Sequence, residues 1–414
     1  MANVLLTPQL LTKLTLMNLG GYLNVCRNMS KDYSSTFGKK GAKQGDTLFV
    51  RKPQRFQVSK GLGYQPQPLT DTQTPIKVDQ VAQVGFEFES VERTLSLDFV
   101  QERYAKPAAI ALAHQINAEA AQYIAQNTFN AVGTPATVPS TLATYLGGGD
   151  KLVQLGLPEG EDLACLITRK MSSTYVNAIS TVHNPAGSIS GQYNTGQVAS
   201  SALGYQWHID QTLYTHTVGP LGGSPAVNAT AAQVAEGGNN GTMALVTKSW
   251  TSAAAARLKK GDVFTIANVY SVHPQTRAST GELQQFVVLA DFSSDSSGNG
   301  SVQISPAITP AGQYQNVNAA PADSAAITVL GAANAVSPQG LLLHKNAFAF
   351  LSVPMEDPDP SGVEMVSKET DPDTGLTLSF IRAFDPISRR HINRFDTLYG
   401  FGTLYREMAC RICS

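Results

Sequence analysis

Two periodicities alternate along this chain. Apolar residues at 10, 11, 14, 16, 17 and 19, ended by Gly20 and Gly21, have helical spacing and predict an amphipathic segment over 7–23. The pattern then changes to a period of two. DTLFVRKPQRFQVSKG (46–61), edged by Pro53, and TPIKVDQVAQVGFEFESVERTL (74–95), with Ile76 and Val78 and then Val84, Phe86 and Phe88 in alternation, flank a Gly/Pro/Gln-rich tip over 61–75. Together they predict a hairpin of about fifteen residues per arm, which at ~3.3 Å per residue reaches about 50 Å. A two-stranded ribbon is marginal alone in water. No adjacent segment offers it a surface, so a neighbouring copy of the chain is expected to carry it.

Helical spacing returns over 97–133. Pro107 suits the first turn, Ile110, Ala113, Ile116, Ala120 and Ile124 share a face, and Gly133 is the expected terminator. The 23 or so residues from 108 to 130 predict a rod of about 35 Å. From Ser140 the texture is α/β. A helix over 140–155 contains Gly147–Gly149, DLACLIT (162–168) reads as a buried strand and 169–179 as a helix. A polar loop fills 183–202, and 204–217 is extended with Trp207 and Ile209 on one face.

Linker chemistry then brackets a separate module, opening with GPLGGSP (219–225) and closing with GAANAVSPQG (331–340). Between them lie MALV (243–246), DVFTIANVY, ELQQFVVLADF (282–292), SVQISPAI and AITVL, short strands at barrel or sandwich spacing. A short helix over Ser252–Lys260 is expected before KKGDVFTIANVY, with Gly261 at its C′ position. Afterwards NAFAFLSVPM (346–355) and the block 376–412 read as strands returning to the first part of the chain. The fold class is therefore α+β, with one domain inserted into another.

Charge narrows the function. Thirty basic and 31 acidic residues leave a net charge of −1, so no global field draws the chain to nucleic acid or an anionic membrane. Only 15% of residues are charged, against ~25% in ordinary soluble domains, and a surface so poor in charge suits burial by other chains. No apolar run reaches the ~18 residues of a membrane span, so a soluble protein made in the cytosol, with no membrane partner, is expected.

Candidate chemistry is sparse. Cys410 and Cys413 form a lone C-x-x-C without a second ligand pair, and with Cys26 and Cys165 they are expected to be inert. Asp357, Asp359, Ser361 and Gly362 match the start of a calcium loop, but Lys368 stands where its last ligand belongs, so an acidic turn is expected. DPDTG (371–375) reads as a β-turn. Gly147–Lys151 lacks phosphate-loop spacing, GSISG (187–191) lacks a nucleophile, and the seven histidines have no ligand spacing. No catalytic residue, metal or cofactor site is assigned, and no enzymatic function. Two basic clusters remain: Lys39, Lys40, Lys43, Arg51, Lys52, Arg55 and Lys60, and Arg389, Arg390 and Arg394. They are either a solvated face or partners for acidic groups of neighbouring chains, and Arg51, Lys52, Arg55 and Lys60 are the candidate intersubunit contacts. No DNA-reading motif is present.

The order of parts, with the closing block D-x-L-Y-G-x-G-x-L-Y-R-E (Asp396–Glu407) and the Gly261–Val269 opening of the inserted module, resembles the major capsid proteins of tailed bacteriophages with the Hong Kong 97-type fold. The insertion is similar in size and position to the inserted β domain of podovirus-type coat proteins. The resemblance implies an N-terminal arm (1–45), an extended loop hairpin (46–95), a peripheral domain with a spine helix (96–139) and an axial domain (140–217). It further implies an inserted β domain (218–344) and return strands (345–414). It also implies assembly with other copies of the chain into hexamers and pentamers, a scaffolding protein, a portal protein and packaged double-stranded DNA bound without sequence specificity. The chain would then reside in the virion, and in the host cytoplasm during assembly. The alternative is a shell protein of an encapsulin-like bacterial nanocompartment, and the unrelated rival is an enzyme or sugar-binding protein carrying a β module.

Overall fold

The computed structural model describes residues 12, 13, 16, 17, 19, 21–32, 47–58, 61–63, 66, 67, 69, 73–89, 106–158, 160–180, 200–229, 233–235, 241–356, 365–385, 387 and 390–414. Lys39, Lys40, Lys43, Lys60 and Arg389 lie outside them. So do the helix start expected at 97–105, the loop 183–202 up to residue 199, and the acidic turn Asp357–Gly362.

In chain order the first strands are β1 (Thr47–Arg51), β2 (Gln73–Lys77) and β3 (Gln80–Glu89), followed by the spine helix Lys106–Asn127. Next come β4 (Ala131–Val132), helix Leu142–Gln154, β5 (Leu163–Ile167), helix Arg169–Ser180, β6 (Ser201–Ala202), β7 (Tyr205–Ile209) and β8 (Thr215–Thr217). The inserted module holds β9 (Ala226–Val227), β10 (Met243–Lys248), β11 (Ala255–Leu258), β12 (Val263–Val272), β13 (Ser279–Val288), β14 (Phe292–Ser294), β15 (Gly300–Ser305) and β16 (Ile327–Val329). The return is made by β17 (Val336–His344), β18 (Phe348–Val353), β19 (Met365–Thr370), β20 (Thr377–Asp385), β21 (Arg390–Thr403) and β22 (Ala409–Cys413).

Contacts divide the chain into two units, residues 1–50, 75–120 and 348–402 in one and 51–74, 121–347 and 403–414 in the other. In the first, β21 is the axis of a five-stranded sheet with β18, β19, β20 and β3. Here the long hairpin is corrected. Among the described residues β1 pairs with β2 alone, whereas β3 runs antiparallel along β21, from Gln80 opposite Tyr399 to Glu89 opposite Arg390. The return arm thus lies on the chain's own C-terminal strand, more than 300 residues away in sequence. Aromatic burial explains the choice: Phe395 of β21 packs on Phe380 at 5.0 Å and on Phe86 of β3 at 6.0 Å between ring centroids. Tyr399 also donates a short hydrogen bond to Glu119 of the spine. The turn DPDTG forms as expected, with the Asp371 carboxylate accepting from Thr374 Oγ1 and from the Asp373 and Thr374 amides.

The spine stops at Asn127, six residues before Gly133. Asn127 Nδ2 and Thr128 Oγ1 donate to the carbonyls of Tyr123 and Ile124, satisfying the helix end without glycine. Its buried face combines Ala113, Ile116, Ala120, Ala121 and Ile124.

The second unit contains two large sheets, each with a core of its own, a two-stranded sheet of β11 and β14, and an apolar cluster of Phe129, Ala131, Val263, Val287 and Cys413 shared between the large sheets. One is a seven-stranded mixed sheet in the order β4-β22-β17-β5-β7-β6, with β8 on β17. Its core gathers Tyr145, Tyr175, Tyr205 and Trp207 around Cys165, Leu342, Cys410 and Ile412. The Gly147–Gly149 run serves this packing: a Cβ on Gly149 would stand 2.2 Å from the Tyr205 hydroxyl, and one on Gly148 3.1 Å from Leu342.

The inserted module is a barrel. Its six strands run β16-β12-β13-β15-β10-β9, and the ends meet through the bridge Ala226–Ala326 and the bonds Val227 N to Ala325 O and Ile327 N to Pro225 O, each 2.9 Å. Side chains including Leu245, Trp250, Phe264, Ile266, Phe286 and Ile304 fill it. The helix expected over Ser252–Lys260 is instead β11, paired with β14. Nine residues nucleate a helix poorly. Arg257 holds the extended form by donating to Ser294 Oγ and to the carbonyls of Leu221, Thr251 and Ala253, while Leu258 enters the barrel core. The barrel closes at Val329, and β17, which a boundary at 344 assigns to the insertion, pairs with β5 and β22 in the mixed sheet.

Candidate functional site

The hairpin's basic arm and the closing Y-R-E converge at one carboxylate. Beyond Pro53 the arm brings Arg55 Nη2 to Glu407 Oε1 at 2.9 Å, an ion pair whose side chains are 28% and 12% exposed. Glu407 lies in a 3-10 turn, Arg406–Met408, that joins β21 to β22. Next to it, Lys52 is buried with its Nζ 5.0 Å from the centre of the Tyr405 ring and no hydrogen-bond partner. Arg406, also buried, donates from Nη2 to Asn127 Oδ1 at 3.4 Å. Asn130 Nδ2 donates to the carbonyl of Ala409 at 3.0 Å, tying the same turn to the end of the spine.

Three cations therefore surround one carboxylate in a place poor in water. Burial pushes the Lys52 ammonium down to about 8; Glu407 opposes that shift, and Arg406 and Arg55 add to it. Burial also raises Glu407 above the usual carboxylate range, against the pull of Arg55, Lys52 and Arg406. Arg55 and Glu407 further border a cavity of about 50 Å³ lined by Phe129, Leu155, Pro274 and Tyr314.

Of the candidate contacts, the structure thus brings Lys52 and Arg55 together on Glu407 of the same chain, leaves Arg51 exposed on β1, and does not describe Lys60. Of the second basic cluster, Arg390 pairs with Glu87 at 2.7 Å and Arg394 with Asp396 at 2.6 Å. Sequence reasoning missed Glu407 and Arg406 as members of the cluster. The available signal was a pair of opposite charges in the otherwise apolar run after Gly402.

All four cysteines are buried; burial raises the thiols of Cys165 and Cys413 and pushes Cys410 to about 12. Cys410 and Cys413 contribute to different apolar clusters, Cys410 with Cys165 and Leu342, Cys413 with Phe129 and Val287. Among the described residues no group of three His, Cys, Asp or Glu side chains is placed to hold a metal ion, and no helix is long and apolar enough to cross a membrane.

Comparison with known proteins places the assembly. A family model described as P22 coat protein, gene protein 5, matches residues 60–411. Among solved structures, a chain of Mycobacterium phage Che8 is similar over 94% of this chain and 90% of that one, at 10% identity and a TM-score of 0.47. The capsid of cyanophage P-SCSP1u is similar over 89% and 83%, at 14% identity and a TM-score of 0.45. The CUS-3 coat protein I-domain is 36% identical over 28% of this chain and 93% of that chain, with a TM-score of 0.18. No curated protein sequence matches. A nanocompartment shell is less supported, because the matching family model is that of a phage coat protein. With 352 consecutive positions inside that match, from 60 to 411, the chain belongs to the P22 coat protein family and is the major capsid protein of a tailed phage, with the Hong Kong 97-type fold.

Proposed function

We propose that the shell is joined chiefly through the basic arm and its tip, which a neighbouring copy covers. The supporting observation is a concentration of exposed apolar side chains: Phe49, Phe56, Val58, Leu62 and Leu69 are each at least 60% exposed. Scattered apolar residues are normal on a surface, but five within 21 positions of a thin ribbon are a patch in search of cover. Arg51 and Lys60 are the arm's contacts with the acidic groups of that neighbour, while Lys52 and Arg55 set the arm's root. Each contact is weak, and repetition around the shell makes the closed form stable while assembly errors stay reversible.

In this reading the first 45 residues are an arm, the mixed sheet gathers at capsomer centres and the barrel decorates the subunit. Assembly in the host cytoplasm uses a scaffolding protein and a portal, and double-stranded DNA is packed without sequence readout. A net charge of −1 supports the last point, because the shell has no field to hold DNA tightly. The protein's role is structural, with no catalytic step. Analytical ultracentrifugation and negative-stain microscopy are expected to show megadalton shells or capsomers; a monomer that never assembles, even with its scaffold, overturns the reading. Deleting 61–75 is expected to block assembly and leave a soluble subunit. Normal shells from that variant refute the role given to the tip.

A further inference from the structure

The Gly261–Asp262 pair of KKGDVFTIANVY stands where the barrel meets the mixed sheet. The Asp262 side chain is fully buried, and its Oδ1 lies 2.7 Å from Nε2 of His216 on β8. Its Oδ2 accepts from the Lys259 amide at 2.8 Å, in the turn between β11 and β12, and from the Gly219 amide at 3.1 Å, in the linker leading into the module. Gly261 has φ +97°, and a Cβ there would come within 3.4 Å of His216 Cε1 and of Gln126 Cγ near the end of the spine. Arg411 of β22, fully buried with Nε lacking a partner, is close enough for the Asp262 charge to act on it.

A buried carboxylate is tolerated only where donors fill its lone pairs. Here the donors come from both sides of the seam, so the carboxylate is satisfied in one relative placement of barrel and sheet. His216 is held to the same placement, since its Nδ1 has no partner and Asp262 is what orients the ring. We propose that Asp262 is the pin that fixes how the barrel is set on the mixed sheet. The leading linker is close-packed on the barrel: a Cβ on Gly219 would stand 2.3 Å from the Arg257 carbonyl oxygen, and the Leu221 and Ser224 amides donate to the carbonyls of Arg257 and Ser249, so these contacts fasten the linker to the barrel and not to the mixed sheet. Two further connections exist at the junction: the apolar cluster of Phe129, Ala131 and Cys413 with Val263 and Val287 of the barrel, and the Gln285 side chain, which accepts from the Ala131 amide at 2.8 Å and donates to its carbonyl at 3.0 Å. The latter joins a side chain to a two-residue strand and lies apart from the linkers, so it is the control.

The test uses the unassembled full-length chain with spin labels on cysteines introduced at Lys170 and Gln303, exposed positions on the helix after β5 and on β15. The native cysteines are buried. Electron–electron resonance is expected to give one narrow distance distribution in the parent. In Asp262→Ala its width should at least double, with emission from Trp250 in the barrel core, read in a Trp207→Phe background, unchanged; in Gln285→Ala it should stay narrow. Asp262→Asn, which keeps an acceptor for one amide, is expected to broaden it less and serves if the alanine variant is insoluble. An unchanged width in both Asp262 variants, equal broadening in Gln285→Ala, or a shift of Trp250 emission showing a melted barrel would each overturn the proposal.

Discussion

Asp262 and Glu407 are both buried carboxylates at the root of an appendage, yet they are built in opposite ways. Asp262 takes two backbone amides and one imidazole. Glu407 takes a bond from Arg55, leaves Oε2 buried without a hydrogen-bond partner, and has Lys52 and Arg406 near enough for their charges to act on it. Backbone donors are fixed once the fold is fixed, so the barrel's root has one satisfied state. Long cationic side chains re-aim at modest cost, and an incompletely paired buried network has alternatives close in energy. The barrel is therefore set rigidly, while the arm's root can be remodelled by one proton or one side-chain rotation.

The strongest way to break this comparison is to remove the carboxylates. Glu407→Ala removes the carboxylate that acts on Arg55 and on buried Lys52 and is expected to cost about 3–5 kcal/mol in chemical denaturation of the subunit. Asp262→Ala strands two amides and an imidazole, with an expected loss of about 2–4 kcal/mol; a loss larger than that of Glu407→Ala would reverse the ranking. Lys52→Met is expected to stabilise by about 1–3 kcal/mol at pH 7, because an apolar side chain replaces a desolvated ammonium. The sign follows from linkage: with its native value lowered to about 8, Lys52 binds fewer protons in the folded than in the unfolded state. Wild-type stability should then rise as pH climbs from about 8 towards the unfolded value of 10.5, and the advantage of Lys52→Met should vanish over that window. A flat difference between the two proteins across it would refute the assignment. The smallest effect expected is from Arg55→Ala, about 1 kcal/mol by the same measurement, since that pair is partly exposed.

Local pattern made much of this fold legible. Period-two alternation located β3, short apolar runs located β5, β10, β12, β13 and β20, and the step of three and four residues located the spine. What failed was non-local. Nothing within 74–95 says that its partner is 390–399, because that choice rests on Phe395 meeting Phe86 across the whole chain. Alanine-rich Ser252–Lys260 looks helical until Arg257 is seen to find acceptors distant in sequence, Ser294 of β14 and the Leu221 carbonyl in the linker. The site divides in the same way. Lys52 and Arg55 stand out as charges in the arm, but Glu407 becomes visible only when the C-terminal turn is placed beside them.

Closure of the barrel between Ala226 and Ala326 has one more consequence. Shell formation holds many identical chains at very high local concentration, where any unpaired strand edge is a template for cross-pairing with the next copy. The bonds from Val227 to Ala325 and from Ile327 to Pro225 occupy that edge within the chain. The appendage can thus crowd against its twins without polymerising through its backbone, leaving lattice growth to the surfaces that are meant to associate.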